Sequence, residues 1–182
     1  MKNKTLPSIV ACVVIAIFHT ACGGSKQDEE AAIPKPDTSA LEAFVSATAP
    51  DGALGVVAAR AAAKPGEPIV LRGKVGGKMT PISESVAILV LADEEAIKSC
   101  DQNPDDECEN PWDYCCEEVS KIAASTATIQ VKGADGKLVR SSLRGLGDLK
   151  ELSHLVISGT VDESSTPEAL IVNAEKIHIE KP

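Results

Sequence analysis

From residue 69 onward, apolar residues largely stop recurring at helical spacing and begin to alternate with polar ones, which restricts this part of the chain to a β-rich domain. The run Ile69-Val70-Leu71-Arg72-Gly73-Lys74-Val75 sets Ile69, Leu71 and Val75 on one face and Arg72 and Lys74 on the other, as in a half-buried strand. Gly73 within it predicts a bulge or a sharp bend. Val86 to Ala92 is a continuous apolar run of strand length, suited to a central position. Ala127 to Lys132 alternates again, and Asp135-Gly136 makes a hairpin-type turn before Lys137-Leu138-Val139. Leu143, Leu146, Leu149 and Leu152 recur every three residues and predict a short helix or helical turns. Leu155 to Val161 and Leu170 to Ile179 read as two further strands joined by the polar turn Asp162 to Glu168.

Upstream of the strands the period is helical. A first segment has Leu41, Phe44 and Val45 at helical spacing with Ser39 as a candidate cap, and Pro50-Asp51-Gly52 breaks it. Ala53 to Lys64 is Ala-rich and predicts a second helix ended by Pro65-Gly66. The aromatics are Phe18, Phe44, Trp112 and Tyr114, so apart from Phe44 the core must be built from Val, Ile, Leu and Ala. At 182 residues there is room for one domain plus extras. The expected layout is a signal segment over 1–22, a polar tether over 23–38, a helical lead-in over 39–64 and a β-domain over 65–182.

Three strands, a short helix and two more strands, after a helical lead-in, resemble the OB-fold, a mainly β, five-stranded barrel whose helix lies between strands three and four. The likeness covers about Ala53 to Lys181. It is strongest to the bacterial, envelope-located branch of that fold, in which a stretch such as GVVAARAAAKPGEP runs into a first strand like IVLRGKV and the last strands read like LVISGTV and LIVNAEKIHIE. The segment PWDYCC is similar to one in uncharacterised bacterial lipoproteins of this kind. The resemblance implies a fold and a location but no assigned activity, because function resides in sites rather than folds.

The N-terminus reads as an address. Lys2 and Lys4 precede an apolar run from Leu6 to Phe18, too short for a typical membrane span and suited to a secretory signal. His19-Thr20-Ala21-Cys22 then resembles the bacterial lipoprotein signal, in which small residues precede the cysteine that receives the lipid. Thr20 and Ala21 fit that pattern, whereas His19 stands where the family usually has an aliphatic residue. The expectation is lipidation at Cys22 and export, with the membrane as a partner through the lipid. Ordinary cleavage near Ala21 or Gly23 and an uncleaved anchor are the alternatives. Gly23 to Ala40 is polar and suits a tether that holds a domain clear of the bilayer.

The net charge of −9 falls to −11 once Lys2 and Lys4 are removed with the signal. That balance argues against nucleic acid as a partner, because single strands require a basic groove with stacking platforms, and here acids surround both Trp112 and Tyr114. No phosphate-binding loop or Gly-x-Ser-x-Gly elbow occurs, so neither an enzyme activity nor a cofactor is indicated. His154 and His178 fall nearly opposite each other if the last two strands pair, but no third ligand accompanies them.

The remaining feature is Cys100 to Glu118, reading CDQNPDDECENPWDYCCEE, an insertion between the second and third strands. In an exported protein, Cys100, Cys108, Cys115 and Cys116 are expected to form disulfides. Pairing the neighbours Cys115 and Cys116 is strained, leaving two connectivities that give each a different upstream partner. An extended backbone there would point the two side chains to opposite faces. Four thiolates also suit Zn²⁺ or Cu(I), with Asp105, Asp106, Glu107 and Glu109 lending charge, although the spacing is not CxxC…CxxC. A redox-active or ligand-gripping role is a third reading. Trp112 and Tyr114 are expected to form a small hydrophobic cap for this polar loop, or else a ligand platform at the barrel mouth. The functional expectation is thus an envelope binding or interaction module for an unidentified ligand or protein, with thiolate metal binding or redox chemistry as the alternative.

Overall fold

Six strands and a few short helical segments build the protein in a computed structural model that describes residues 38–103, 105 and 107–181. The expected signal segment 1–22, the lipid site Cys22, all but the last residue of the tether and the loop acid Asp106 lie outside these residues. A 3₁₀ segment, Ser39–Phe44, leads into β1 (Leu54–Gly55) and α1 (Val56–Ala62). Then come β2 (Pro68–Val75), β3 (Ile88–Ala92), α2 (Val119–Ala124), β4 (Thr126–Gln130), β5 (His154–Val161) and β6 (Leu170–Ile179).

The strands run β1-β2-β3-β4-β6-β5 across the sheet, and a further β2–β5 pairing closes the last five into a barrel. β1 stays outside, parallel to β2. Within the barrel every neighbouring pair is antiparallel except β4 and β6, which run parallel from Ala127↔Leu170 to Gln130↔Asn173. The protein is mainly β, with the closed five-stranded arrangement expected of an OB-like barrel.

Alternation decides which side chains fill it. Leu71, Leu89, Leu91, Ile129, Leu155, Ile157, Val172 and Ile177 are fully enclosed, as inward positions of small barrels must be. Gly73 is not the site of a bulge; a Cβ there would lie 2.3 Å from the carbonyl oxygen of Ala92. Its lack of a side chain permits β2 to pass from β5 to β3 at this crossing. The sheet's irregularity lies instead between Ser158 and Gly159 on β5.

The leucine-spaced crossover between β4 and β5 carries the expected helical turn, reduced to its shortest form. Only Leu146–Asp148 forms a 3₁₀ turn, because Gly145 and Gly147 take positive φ. Leu143, Leu146 and Leu149 join the barrel core, so their spacing reports burial as well as a helical turn. In the lead-in, Leu41, Val56 and Ala59 are buried in the same core. Arg60 on α1 donates to the backbone oxygens of Ala123, Thr126 and Pro167, binding the helix to the approach to β4 and to the β5–β6 turn.

Candidate metal centre

The connection from β3 to α2 carries the four downstream cysteines, and its first anchor is Lys74 on β2. The outward face of that strand was expected to meet solvent, and Arg72 does so, with a side chain 57% exposed. Lys74 instead lies under the cysteine segment with a side chain only 5% exposed. Its ammonium donates to Ser99 Oγ at 2.9 Å and to both carboxylate oxygens of Asp101 at 3.0 and 3.2 Å. Burial pushes the Asp101 carboxyl up, but hydrogen bonds from Ser99 and Lys74 outweigh it and leave the group below its ordinary value. The residues flanking Cys100 are therefore fixed directly to the barrel wall.

The second anchor is Tyr114. Its ring is 1% exposed and packs with Ala92, Ile97 and Ile122 in a small core separate from the barrel interior. The backbone approaches so closely that a Cβ on Gly76 would lie 2.7 Å from both the Tyr114 ring and the Trp112 carbonyl oxygen. That carbonyl accepts from Gly77 N at 2.8 Å, while Trp112 Nε1 donates to the carbonyl of Met79 at 3.0 Å. Trp112 and Tyr114 thus do not share one open face. Tyr114 is enclosed, and burial pushes its phenol up to about 12 against a smaller lowering by Ser99. Trp112 is half-buried at the segment's edge.

Between the anchors the chain curls rather than extends. Pro111 and Trp112 form the middle of a turn closed by Asp113 N donating to the carbonyl of Asn110 at 2.9 Å, and Cys100 N donates to the Pro111 carbonyl at 2.9 Å. Tyr114 adopts a φ of 61°, Cys115 N donates to Asp113 Oδ1 at 2.9 Å, and Glu117 N donates back to the Tyr114 carbonyl at 2.9 Å. Cys115 and Cys116 are consequently the central residues of a tight turn. The extended backbone that would have sent them to opposite faces is absent.

All four sulfurs converge. The Sγ atoms of Cys100, Cys108, Cys115 and Cys116 lie within 4.8 Å of one another. Cys115 Sγ is 3.7 Å from Cys100 Sγ and 2.7 Å from Cys108 Sγ. No disulfide is formed among them in this arrangement. Cys100 is buried and Cys108 half-buried, whereas Cys115 and Cys116 are exposed, so the cluster opens to solvent on one side. The Cys115 thiol is lowered by Cys108 but raised more by Cys100 and burial together, and ends above its ordinary value. A tetrahedral ion bound through sulfur at about 2.3 Å would hold its ligands roughly 3.8 Å apart. The four positions therefore need only small adjustments to enclose one.

Among the described residues this is the one group of three or more His, Cys, Asp or Glu side chains placed to hold a metal ion. His154 and His178 do not add another: His154 Nδ1 lies 2.9 Å from Glu94 Oε1, and His178 Nδ1 contacts the Ser46 carbonyl at 3.0 Å. Glu117 accepts from Lys121 Nζ at 2.7 Å and Lys98 N at 3.1 Å, and those bonds lower its pKa. Sequence reasoning missed Lys74, Ser99 and Asp101 as supports, since nothing in a strand's alternation says what will cover its outer face. No family model, curated protein or solved structure matches the chain.

Proposed function

We propose that this chain is an exported, lipid-tethered barrel that acts by binding rather than by catalysis, and that its cysteine cluster holds one thiophilic metal ion, Zn²⁺ or Cu(I). The observation carrying the metal reading is the convergence of four sulfurs within 4.8 Å. Thiolate ligands favour these ions over Mg²⁺ or Ca²⁺, which take oxygen. Four protein ligands fill a tetrahedral Zn²⁺ and leave no position for water, as in structural rather than hydrolytic sites. The polar segment 100–118 has only a small core around Tyr114 to order it, so binding free energy at the sulfurs would add directly to its folding. The tether and location rest on Thr20-Ala21-Cys22 after an apolar run and on the polar stretch that follows.

The test uses the chain from Ser39 onward, purified through an oxidising route and dialysed against zinc. Elemental analysis is expected to give about one ion per chain, with all four thiols protected from alkylation until a chelator is added. A chain that retains no zinc and whose mass shifts on reduction by two bridges would remove the metal reading. Metabolic labelling of the full chain with a palmitate analogue is expected to be lost in Cys22→Ala; persistent labelling would reject that site.

A second reading keeps the staple. The close approach of Cys108 and Cys115 and an oxidising compartment favour disulfides, each contributing about 2–4 kcal/mol by restricting the unfolded chain.

A further inference from the structure

The four sulfurs are not equivalent, and their differences point to how such a site would be opened. Cys108 and Cys115 stand 2.7 Å apart. That is closer than the roughly 3.8 Å expected of two ligands around one ion, though longer than a sulfur–sulfur bond of about 2.05 Å. Cys100, by contrast, is buried and 3.7 Å from Cys115. The same arrangement thus gathers four sulfurs within reach of one ion and brings one particular pair near bonding distance. Cys115 is also exposed, as attack on an external disulfide requires.

The supports of the segment do not depend on sulfur. Lys74 grips Ser99 and Asp101, Tyr114 is seated in its own small core, and Trp112 is held by the backbone at Gly77 and Met79. A change in the bonding of the sulfurs therefore leaves both ends of the loop docked. With Cys108 and Cys115 joined, Cys100 and Cys116 remain, and these also lie within 4.8 Å of each other.

We propose that the cluster is a redox-gated metal site, opened by a disulfide oxidant through Cys108 and Cys115 and closed again by a dithiol reductant. The inference rests on the metal reading above and names the regulation of the same site. In the first step one metal-bound thiolate attacks a sulfur of the oxidant's disulfide, forming a mixed disulfide and expelling a thiolate. The second protein thiolate then displaces the oxidant's remaining sulfur. Two electrons pass from the two cysteines to the oxidant, which leaves as two thiols after taking two protons from solvent. The ion, reduced to two protein ligands, is released. A second equivalent of oxidant joins Cys100 to Cys116 by the same exchange. Of the two connectivities left open by the sequence, the geometry selects Cys108–Cys115 with Cys100–Cys116.

The test uses the full chain in detergent, reduced and loaded with zinc, then exposed to oxidised glutathione in the presence of a chromogenic chelator. Samples taken over time are alkylated, reduced and alkylated with a second reagent. All four cysteines fall on the peptide between Lys98 and Lys121 after tryptic cleavage, so fragmentation of that peptide locates each label. The expected result is loss of the bound zinc in step with labelling of Cys108 and Cys115 as the first bridge, and recovery of zinc binding after reduction. Zinc held by four thiols that is retained through oxidation, or released with a different first pair, would overturn the gating while leaving the metal reading in place. A reduced chain that takes up no zinc would overturn both.

Discussion

Lys74 shows how one residue's role depends on what the rest of the chain lays over it. On alternation alone it belongs with Arg72 on an outward face, and only the packed structure reveals that Ser99 and Asp101 close over it. The ammonium is nearly dry while Asp101 keeps a side chain about one-third exposed, so the two partners differ in what they lose when separated. Replacing Lys74 with Met retains the stem's packing but leaves Asp101 charged against an apolar surface. The expected cost is about 2 kcal/mol in urea denaturation, below the range for fully buried pairs because water still reaches Asp101. Lys74→Met is also expected to weaken zinc binding, whereas Arg72→Met, whose partner Glu95 is exposed, is expected to change neither measurement. Equal losses in the two variants would show that Lys74 is not an anchor. Tyr114 teaches the same lesson from the other direction. Its aromatic character was legible as an apolar anchor, but the positive φ that turns Cys115 and Cys116 together could not be read from a residue type that seldom adopts it.

At the scale of elements, the strands were legible because alternation is a direct consequence of having one face in a barrel. Arg72 and Leu71, or Thr128 and Ile129, take opposite faces as their spacing requires. The two-residue β1 and the short α2 were not legible, since neither is long enough to establish a period. Also hidden was the polar cluster that secures the barrel's parallel seam. Asp162, just beyond β5, accepts from Lys132 Nζ at 2.6 Å, Gln130 Nε2 at 3.0 Å, Asn173 Nδ2 at 2.9 Å and Ser164 N at 3.0 Å. Gln130 and Asn173 are register partners on β4 and β6, so one carboxylate joins three strands. Hydrogen bonds from Lys132 and then Ser164 hold its pKa well below the usual carboxylate range despite burial. A lowered folded-state pKa means that stabilisation is fully present above the unfolded value of about 3.9 and is lost as pH falls towards the folded value. Unfolding free energy is therefore expected to drop by on the order of 2 kcal/mol between pH 5 and pH 2 from this group. Asp162→Asn is expected to be less stable at pH 5 and to show a flatter profile below it; a profile parallel to that of the unmodified chain would refute the assignment.

At the scale of the whole molecule, the described residues form two apolar cores of unequal size. The barrel core draws on every barrel strand, the lead-in and the β4–β5 crossover. The second core consists of Ala92, Ile97 and Tyr114 with Ile122 packed against them, and it alone underlies the cysteine segment. So small a cluster removes little apolar area from water, and at about 25 cal/mol per Å² it cannot order a strongly acidic loop by itself. The Lys74 anchor and the sulfur cluster must supply the rest. The expected consequence is a molecule with two levels of stability, in which the cysteine segment loosens between its docked ends while the barrel holds. Hydrogen exchange on the reduced, zinc-loaded chain resolves the levels. Chelation is expected to accelerate exchange of amides held within the segment, such as Cys100 N, Cys115 N and Glu117 N. Amides of Leu71, Leu89, Ile129 and Val172, all at fully buried barrel positions, are expected to retain their protection. Barrel amides accelerated together with the segment would instead mean that the cluster contributes to the stability of the entire fold. The gating proposal requires the first outcome, because an ion can be released and regained repeatedly only if the barrel bearing Lys74 and Gly76 stays intact while its sulfur-bearing loop is remade.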